Sequence, residues 1–547
     1  MRISVLVASF ASAGSVFAAH SLNLGAQSIN LWRLGKDQAA APRRADTRRV
    51  VIQNGSPDIQ ERQEEFPEQW FEQPVDHFDE SKGTFKQRYW FSTRHYTPGS
   101  GGPVFVLDGG ETSGEDRLPY LDTGILEILT NATGGIGIVL EHRYYGTSFV
   151  TQNLTTDSLR FLNNDQAAAD SANFMANVSF PGIDEDLTSP GTPWIYYGGS
   201  YAGARSAHMR ILYPDLVFGA IASSAVTHAA LSNWEYMDVI RLAANATCSS
   251  NLVGSVNRID AILAQGGAQS KTLKTQFGIT NLTHDVDFAS LITSPLGAWQ
   301  SKNWDPAVGS TSFDNFCNAV NKVPAGLDPS VSSLEFENPS RLVSIGNGLA
   351  VDYALANYGT YIKSHVVAGC RGSQDACFGT FNDTIYQDTG LDQDWRLWQF
   401  QVCTQWGYFT TAPPDPSIPR IVSNLLTLDY LDKICAQAYL PGKFFSVPKL
   451  PDVESVNRLG DFDIAADRLA IIDGEVDPWR PDTPHSQYYA KDRPDTTLQP
   501  FKLIPGAVHH WDENGLANIS DEPPEIQKIH NEEIAFVKEW LKDFKKA

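Results

Sequence analysis

The chain has 547 residues, 42% of them hydrophobic, and its 64 acidic against 42 basic side chains give a formal charge of −22. A surface of that sign repels phosphate backbones, which excludes nucleic acid as a partner. No apolar run after the first twenty residues reaches the eighteen or so that a spanning helix requires, so no membrane span is expected.

Residues 1–19 carry Arg2, an apolar stretch from Ile3 to Phe10 and a small-x-Ala end at Val16-Phe17-Ala18, the form of a signal peptide. The polar stretch 20–64 holds the dibasic pairs Arg43-Arg44 and Arg48-Arg49 and reads either as a flexible arm or as a propeptide removed by processing. From about residue 65 the pattern changes. Val104 to Leu107 and Ile136 to Leu140 are continuous apolar runs, which predict strands of a parallel sheet covered on both faces. Leu118 to Leu129 between them is helix-like and gives strand–helix–strand alternation.

The next apolar run, Trp194 to Tyr197, opens into Gly198-Gly199-Ser200-Tyr201-Ala202-Gly203 and then into a helix-like segment, Ala204 to Tyr213. A serine on a strand-to-helix turn has a strained backbone and needs small neighbours, so this run has the form of a nucleophile elbow. Ala202 stands where the usual Gly-x-Ser-x-Gly pattern has its second glycine, and taken alone the run also reads as an ordinary Gly-Ser turn.

Residues 228–430 exceed what the remaining strands need and contain helix-like stretches such as Val256 to Leu263, which predicts an inserted, mainly helical cap holding most of the cysteines. The six cysteines are Cys248, Cys317, Cys370, Cys377, Cys403 and Cys435. An even set in an oxidising compartment predicts disulfides, with fifteen pairings open and Cys370 and Cys377 close enough to close a small loop. No Cys-x-x-Cys pair exists, so no zinc site is expected, and no other metal or cofactor.

In the last segment, 431–547, the buried run Leu469 to Ile472 opens into Asp473-Gly474-Glu475-Val476-Asp477-Pro478-Trp479, and the stretch Leu498 to Ile504 into Pro505-Gly506-Ala507-Val508-His509-His510-Trp511. Serine, acid and histidine thus follow the chain order of the α/β-hydrolases. Ser200 is the candidate nucleophile, Asp477 the orienting acid and His509 or His510 the base that takes the serine proton and returns it to the leaving group. The predicted fold is therefore an α/β-hydrolase, its core in two parts (65–227 and 431–547) around the helical cap. A closing helix from about Pro523-Pro524 carries Ile526, Ile529, Phe536, Val537 and Trp540 on one face.

Several further motifs resemble the serine peptidases that comprise prolyl carboxypeptidase, dipeptidyl peptidase II and the fungal prolyl peptidases. They are Phe71 to Phe78 with Gln87 to Trp90, Glu141-His142-Arg143-Tyr144-Tyr145-Gly146, Leu159 to Leu162 with Asp165 to Ala167, Trp398 to Thr404, Asp477 to Trp479 and Ala507 to His510. The resemblance runs nearly end to end and makes His509 the base. Gln405 and Ala204 depart from mammalian relatives, which carry glutamate and methionine there, and suggest a different subsite preference.

The resemblance implies a serine peptidase acting on peptides, cutting after proline at acidic pH, most readily as a Pro-Xaa carboxypeptidase or related exopeptidase; a prolyl endopeptidase or dipeptidyl peptidase remains the alternative, as does a homodimer. The same triad would also serve a secreted esterase or lipase. A histidine base in acid must stay neutral below its ordinary value near ~6.5, which burial favours.

The oxyanion hole is expected to combine the N–H of Tyr201 with that of Gly110. Glu111 is a candidate for binding a substrate amine and Arg143 for a carboxylate, although the run Glu141 to Arg143 reads more readily as an ion-pair network. Trp479 and Trp511 either flank the scissile position or fill the core. Secretion, or delivery to a vacuole or lysosome, agrees with Asn-x-Ser/Thr acceptors at Asn131, Asn153, Asn177, Asn245, Asn281, Asn382 and Asn518, and less clearly Asn54.

Overall fold

The computed structural model describes residues 65–327 and 338–545. The signal segment 1–19 and the whole of the arm 20–64, Asn54 included, lie outside the described residues. Eight strands form the central sheet: β1 (Gln69–Pro74), β2 (Thr84–Ser92), β3 (Val104–Asp108), β4 (Ile136–Leu140), β5 (Trp194–Gly199), β6 (Gly219–Ser223), β7 (Leu469–Gly474) and β8 (Phe501–Ile504). Their spatial order is β1-β2-β4-β3-β5-β6-β7-β8. The β1–β2 and β2–β4 pairs are antiparallel, and every pair from β4 to β8 is parallel. This mixed sheet, with helices on both faces, is the α/β-hydrolase architecture expected.

The continuous apolar strands are buried on both sides because successive side chains point to opposite faces. Val104, Val106, Trp194, Tyr196, Ala220 and Ala222 pack into one layer, whereas Phe105, Leu107, Ile195, Tyr197 and Ile221 pack into the other. Helix α1 (Ile125–Thr133) covers the second face; α2 (Asn164–Asn177) and α3 (Tyr201–Leu212) cover the first. The chain's last helix returns to the same face as α1 with the five predicted apolar residues buried, and it starts at Pro524 with proline in its first turn.

Between β6 and β7 the chain is largely helical. It includes α4 (Ala246–Gln265) and α5 (Tyr353–His365), and the closing helix is α6 (Pro524–Leu541). Of the fifteen pairings the structure holds Cys248–Cys317, Cys370–Cys377 and Cys403–Cys435. The first ties α4 to the helix Ser312–Asn321 across a separation of 69 residues; in the chain-entropy picture closing so long a loop contributes roughly 4 kcal/mol by constraining the unfolded chain. No described helix is long and apolar enough to cross a membrane. All seven acceptor asparagines are exposed.

Candidate active site

Ser200 follows β5 directly and stands at φ 62°, ψ −124°, a conformation costly for a side chain and held by its surroundings. Its N–H donates to the Ser223 carbonyl of β6 at 2.9 Å, and its carbonyl accepts from Ala204 N–H at 3.0 Å, so α3 begins at Tyr201, earlier than the helix-like run suggested. The tightness of this turn explains the small residues around it. A Cβ at Gly198 would collide with the Ala202 carbonyl, and one at Gly203 would lie 2.5 Å from the Ser223 oxygen. Glycine is thus needed at Gly203, where β6 crosses the helix, while the methyl of Ala202 is accommodated.

Asp477 and His509 follow β7 and β8 and are both buried. Asp477 Oδ2 lies 2.8 Å from His509 Nδ1, while its Oδ1 accepts the Trp479 N–H at 2.9 Å. His510 is turned elsewhere. With φ 37° it donates its backbone N–H to Ser224 Oγ (2.8 Å), and its Nδ1 is 2.8 Å from Glu513 Oε2. Ser224 follows Ser223, which receives the Ser200 N–H, so the histidine turn and the serine turn meet on the end of β6.

Two acids after the histidines fasten that turn. Asp512 accepts the hydroxyls of Ser223 (2.5 Å) and Tyr197 (2.6 Å), and Glu513 accepts the Tyr120 hydroxyl (2.9 Å). His530 of α6 lies 2.9 Å from the Asp512 carbonyl through Nε2 and 2.8 Å from Glu522 through Nδ1. Sequence reasoning did not find Asp512 or Glu513; their position just beyond the histidines was the only signal.

Burial pushes the Asp512 carboxyl up to about 6 despite its two hydroxyl donors. Burial and the nearby Asp512, Glu522 and Glu532 also raise Glu533, neither of whose oxygens has a hydrogen-bond partner among the described residues. Both folded-state values lie above the unfolded ones: the stabilising contribution of Asp512, on the order of 3 kcal/mol, is full below about pH 4 and is lost as pH rises through about 6, and that of Glu533 is likewise lost as pH rises. Between pH 4 and 7 the thermal midpoint of Glu533→Gln is therefore expected to fall less, or rise more, than that of the parent protein, where the buried imidazoles of His142 and His208, lowered to about 4 and about 3, act in the opposite sense; the same pH dependence in both proteins would contradict the assignment.

The turn after β3 departs from expectation. The Gly110 N–H donates to Asp108 Oδ1 at 2.9 Å, so it is committed to a carboxylate rather than presented to an oxyanion. Asp108 also takes Arg205 Nε and the Tyr196 hydroxyl, both at 2.6 Å. Burial alone would raise its carboxyl, but Arg205 foremost holds it below the ordinary value. Tyr201, by contrast, opens α3, whose first amides have no intrahelical acceptor.

The Glu141–Arg143 run is a buried ion-pair network. Glu141 pairs with Arg88 at 2.8 Å, and Arg143 grips Asp170 at 2.5 and 2.7 Å while donating to the carbonyls of Pro74, Val75 and Phe161. Arg143 is therefore fully engaged, which corrects its candidacy for a substrate carboxylate. Burial lowers the His142 imidazole to about 4, and its Nε2 lies 3.0 Å from the Tyr201 hydroxyl. Glu111 is half-buried within the field of Arg117, Tyr145 and Tyr201.

Trp479 is a core residue, edge-on to Tyr236 and Tyr408, with its indole N–H donating to Gln300; its ring centroid is 6.5 Å from that of His509. Trp511 is half-buried and donates to the Lys302 carbonyl. The Trp398–Thr404 motif docks on the core through Gln401, which accepts the Tyr145 hydroxyl at 2.6 Å, and the residue after it, Gln405, accepts the Asn164 N–H at 3.0 Å. Ala204 is buried beside Tyr201 in α3. A cavity of about 280 Å³ opens against His509 and His510, with walls from the turn after β3 and from residues 300–303 and 308.

The family model of serine carboxypeptidase S28 matches residues 73–322 and 354–532. A protein of Arthroderma benhamiae named "Probable extracellular serine carboxypeptidase" is 40% identical over 499 residues, covering 87% of this chain and 68% of the relative. The lysosomal Pro-X carboxypeptidase of Mus musculus is 27% identical over 494 residues, covering 87% and 89%. Among solved structures, the proline iminopeptidase of Mycobacterium smegmatis aligns over 86% of this chain and 98% of its own at 12% identity, with a TM-score of 0.37. The family match spans most of the chain, including Ser200, Asp477 and His509, and the chain belongs to the serine carboxypeptidase S28 family as a serine-type peptidase.

Proposed function

We propose that the protein is an exported carboxypeptidase that removes the residue following a penultimate proline, using Ser200, His509 and Asp477. The observation that carries the reading is the buried Asp477–His509 pair, whose turn meets the strained Ser200 turn on β6. With Nδ1 engaged by Asp477, proton transfer runs through His509 Nε2. Ser200 Oγ attacks the scissile carbonyl and gives its proton to His509; the tetrahedral oxyanion collapses as the amine leaves with that proton. Water, deprotonated by His509, then attacks the acyl-serine and frees the enzyme.

Tyr201 N–H is one oxyanion donor. Gly110 can be the second only if its bond to Asp108 opens, and losing one such donor costs about 10²–10³ in turnover. The helical segment 228–430 acts as a lid that excludes water and long substrates. Proline preference is supported by the likeness to the lysosomal Pro-X carboxypeptidase, and export by the seven exposed acceptor asparagines and the extracellular relative. Working in acid agrees with the protonation that the Asp512–Glu533 cluster favours.

Mass spectrometry of the products from one proline-containing peptide, with free ends and with both ends blocked, tests the reading at acidic pH. Loss of the carboxyl-terminal residue after proline from the free peptide alone is expected. Release of an amino-terminal dipeptide, or cleavage of the blocked peptide, would replace it with the dipeptidyl peptidase or endopeptidase reading.

A further inference from the structure

The cavity against His509 has a feature the mechanism above does not use. Arg117, in the 3-10 turn Gly114–Arg117 after β3, lines it and is only 7% exposed. Its Nε donates to the Gly109 carbonyl at 3.2 Å, and among the described residues it makes no other hydrogen bond and no ion pair. A buried guanidinium normally has a carboxylate partner, because leaving the charge unpaired in a poorly solvated site is costly. Burial favours its neutral form, yet Tyr120, Glu513, Glu111 and Asp116 hold it charged from beyond pairing distance. The other cation of the lining, Lys302, pairs with Asp314 at 2.6 Å, and Asp116 is the acid of the lining.

Position adds to the chemistry. His509 must reach the departing amine, so the leaving residue lies on the His509 side of the scissile bond. The cavity has His509 in its wall but neither Ser200 nor Trp479. Its volume of about 280 Å³ falls just below the range of roughly 300–1,000 Å³ typical of small-ligand sites, which suits one residue rather than a peptide.

We infer that this cavity is the subsite for the substrate's carboxyl-terminal residue, and that Arg117 anchors its free carboxylate. The inference rests on the carboxypeptidase reading. A fork of two N–H groups suits a carboxylate bidentately, and the pair forms where water is largely excluded. Arg117 is a specificity-determining residue on this account, and the engaged Arg143 is not.

The test compares kcat/KM for one Pro-Xaa peptide as its free acid and as its carboxyl-terminal amide, in the full enzyme and in Arg117→Gln and Arg117→Lys. The ratio of acid to amide is expected to fall about 10–100-fold in Arg117→Gln, the loss of one charge-assisted contact, and to recover partly in Arg117→Lys. An unchanged ratio, with both substrates losing activity equally, would overturn the anchor and leave Arg117 a structural residue. A second measurement needs no variant: the free amino-acid product should inhibit the parent enzyme at least about ten times more strongly than its amide, and equal inhibition would likewise overturn the proposal. Equal cleavage of acid and amide by the parent enzyme would instead refute the carboxypeptidase reading itself.

Discussion

Replacing Ser200 with alanine is expected to lower kcat on the order of 10⁶-fold while leaving the fold intact, since removing the nucleophile of a serine triad costs about as much as removing the whole triad. The substitution deletes one oxygen at a position only 8% exposed. The backbone bonds that hold the turn, from Ser200 N–H to Ser223 and from Ala204 N–H to Ser200, do not involve that oxygen. Alanine at φ 62° bears the same backbone strain as serine, so a drop in activity cannot be assigned to a collapsed turn. Steady-state hydrolysis of a Pro-Xaa peptide, beside an unchanged thermal melt, checks it.

The second large effect is expected at Asp477. Asp477→Asn keeps the shape but can present an N–H to His509 Nδ1 in place of a carboxylate, favouring the wrong tautomer and losing the charge that stabilises the imidazolium; about 10⁴ in kcat is the expected loss. Its other oxygen accepts the Trp479 N–H, so the variant also perturbs the segment that carries Trp479. His510→Ala supplies the contrast. His510 pairs with Glu513 and meets Ser224 through its backbone, so its imidazole supports the turn without facing Asp477. Its loss should therefore reduce activity far less than that of His509. Kinetics with His510→Ala inactive and His509→Ala active would reverse the two assignments.

The parts of this site that were legible in the sequence are those where local chemistry leaves few options. Val104 to Leu107 and Ile136 to Leu140 read as buried strands because helices cover both faces of the sheet, and they appear as β3 and β4. Glycines flanking a serine, and an acid and a histidine each just beyond an apolar run, placed three side chains at strand ends. The helix Leu118–Leu129 was legible in type but not in detail: it follows the turn Gly114–Arg117 and is broken into a short helix Pro119–Asp122 and α1, because Pro119 starts a new turn and Gly124 packs against Glu513. Other features depend on residues far apart in the chain. The commitment of Gly110 to Asp108 follows from a buried network with Arg205 and Tyr196, which no spacing announces. The disulfide pairing, the anchoring of Asp512 by Tyr197 and Ser223, and the isolation of Arg117 beside His509 are likewise products of tertiary packing.

The most direct test of the triad is to treat the enzyme with a serine-reactive phosphonate and locate the adduct by peptide mapping, in the parent protein and in His509→Ala. A single adduct on Ser200, formed at least about 10²-fold more slowly without the His509 imidazole, is the expected result. An adduct on another serine, or labelling of Ser200 at an equal rate in both proteins, would contradict the account.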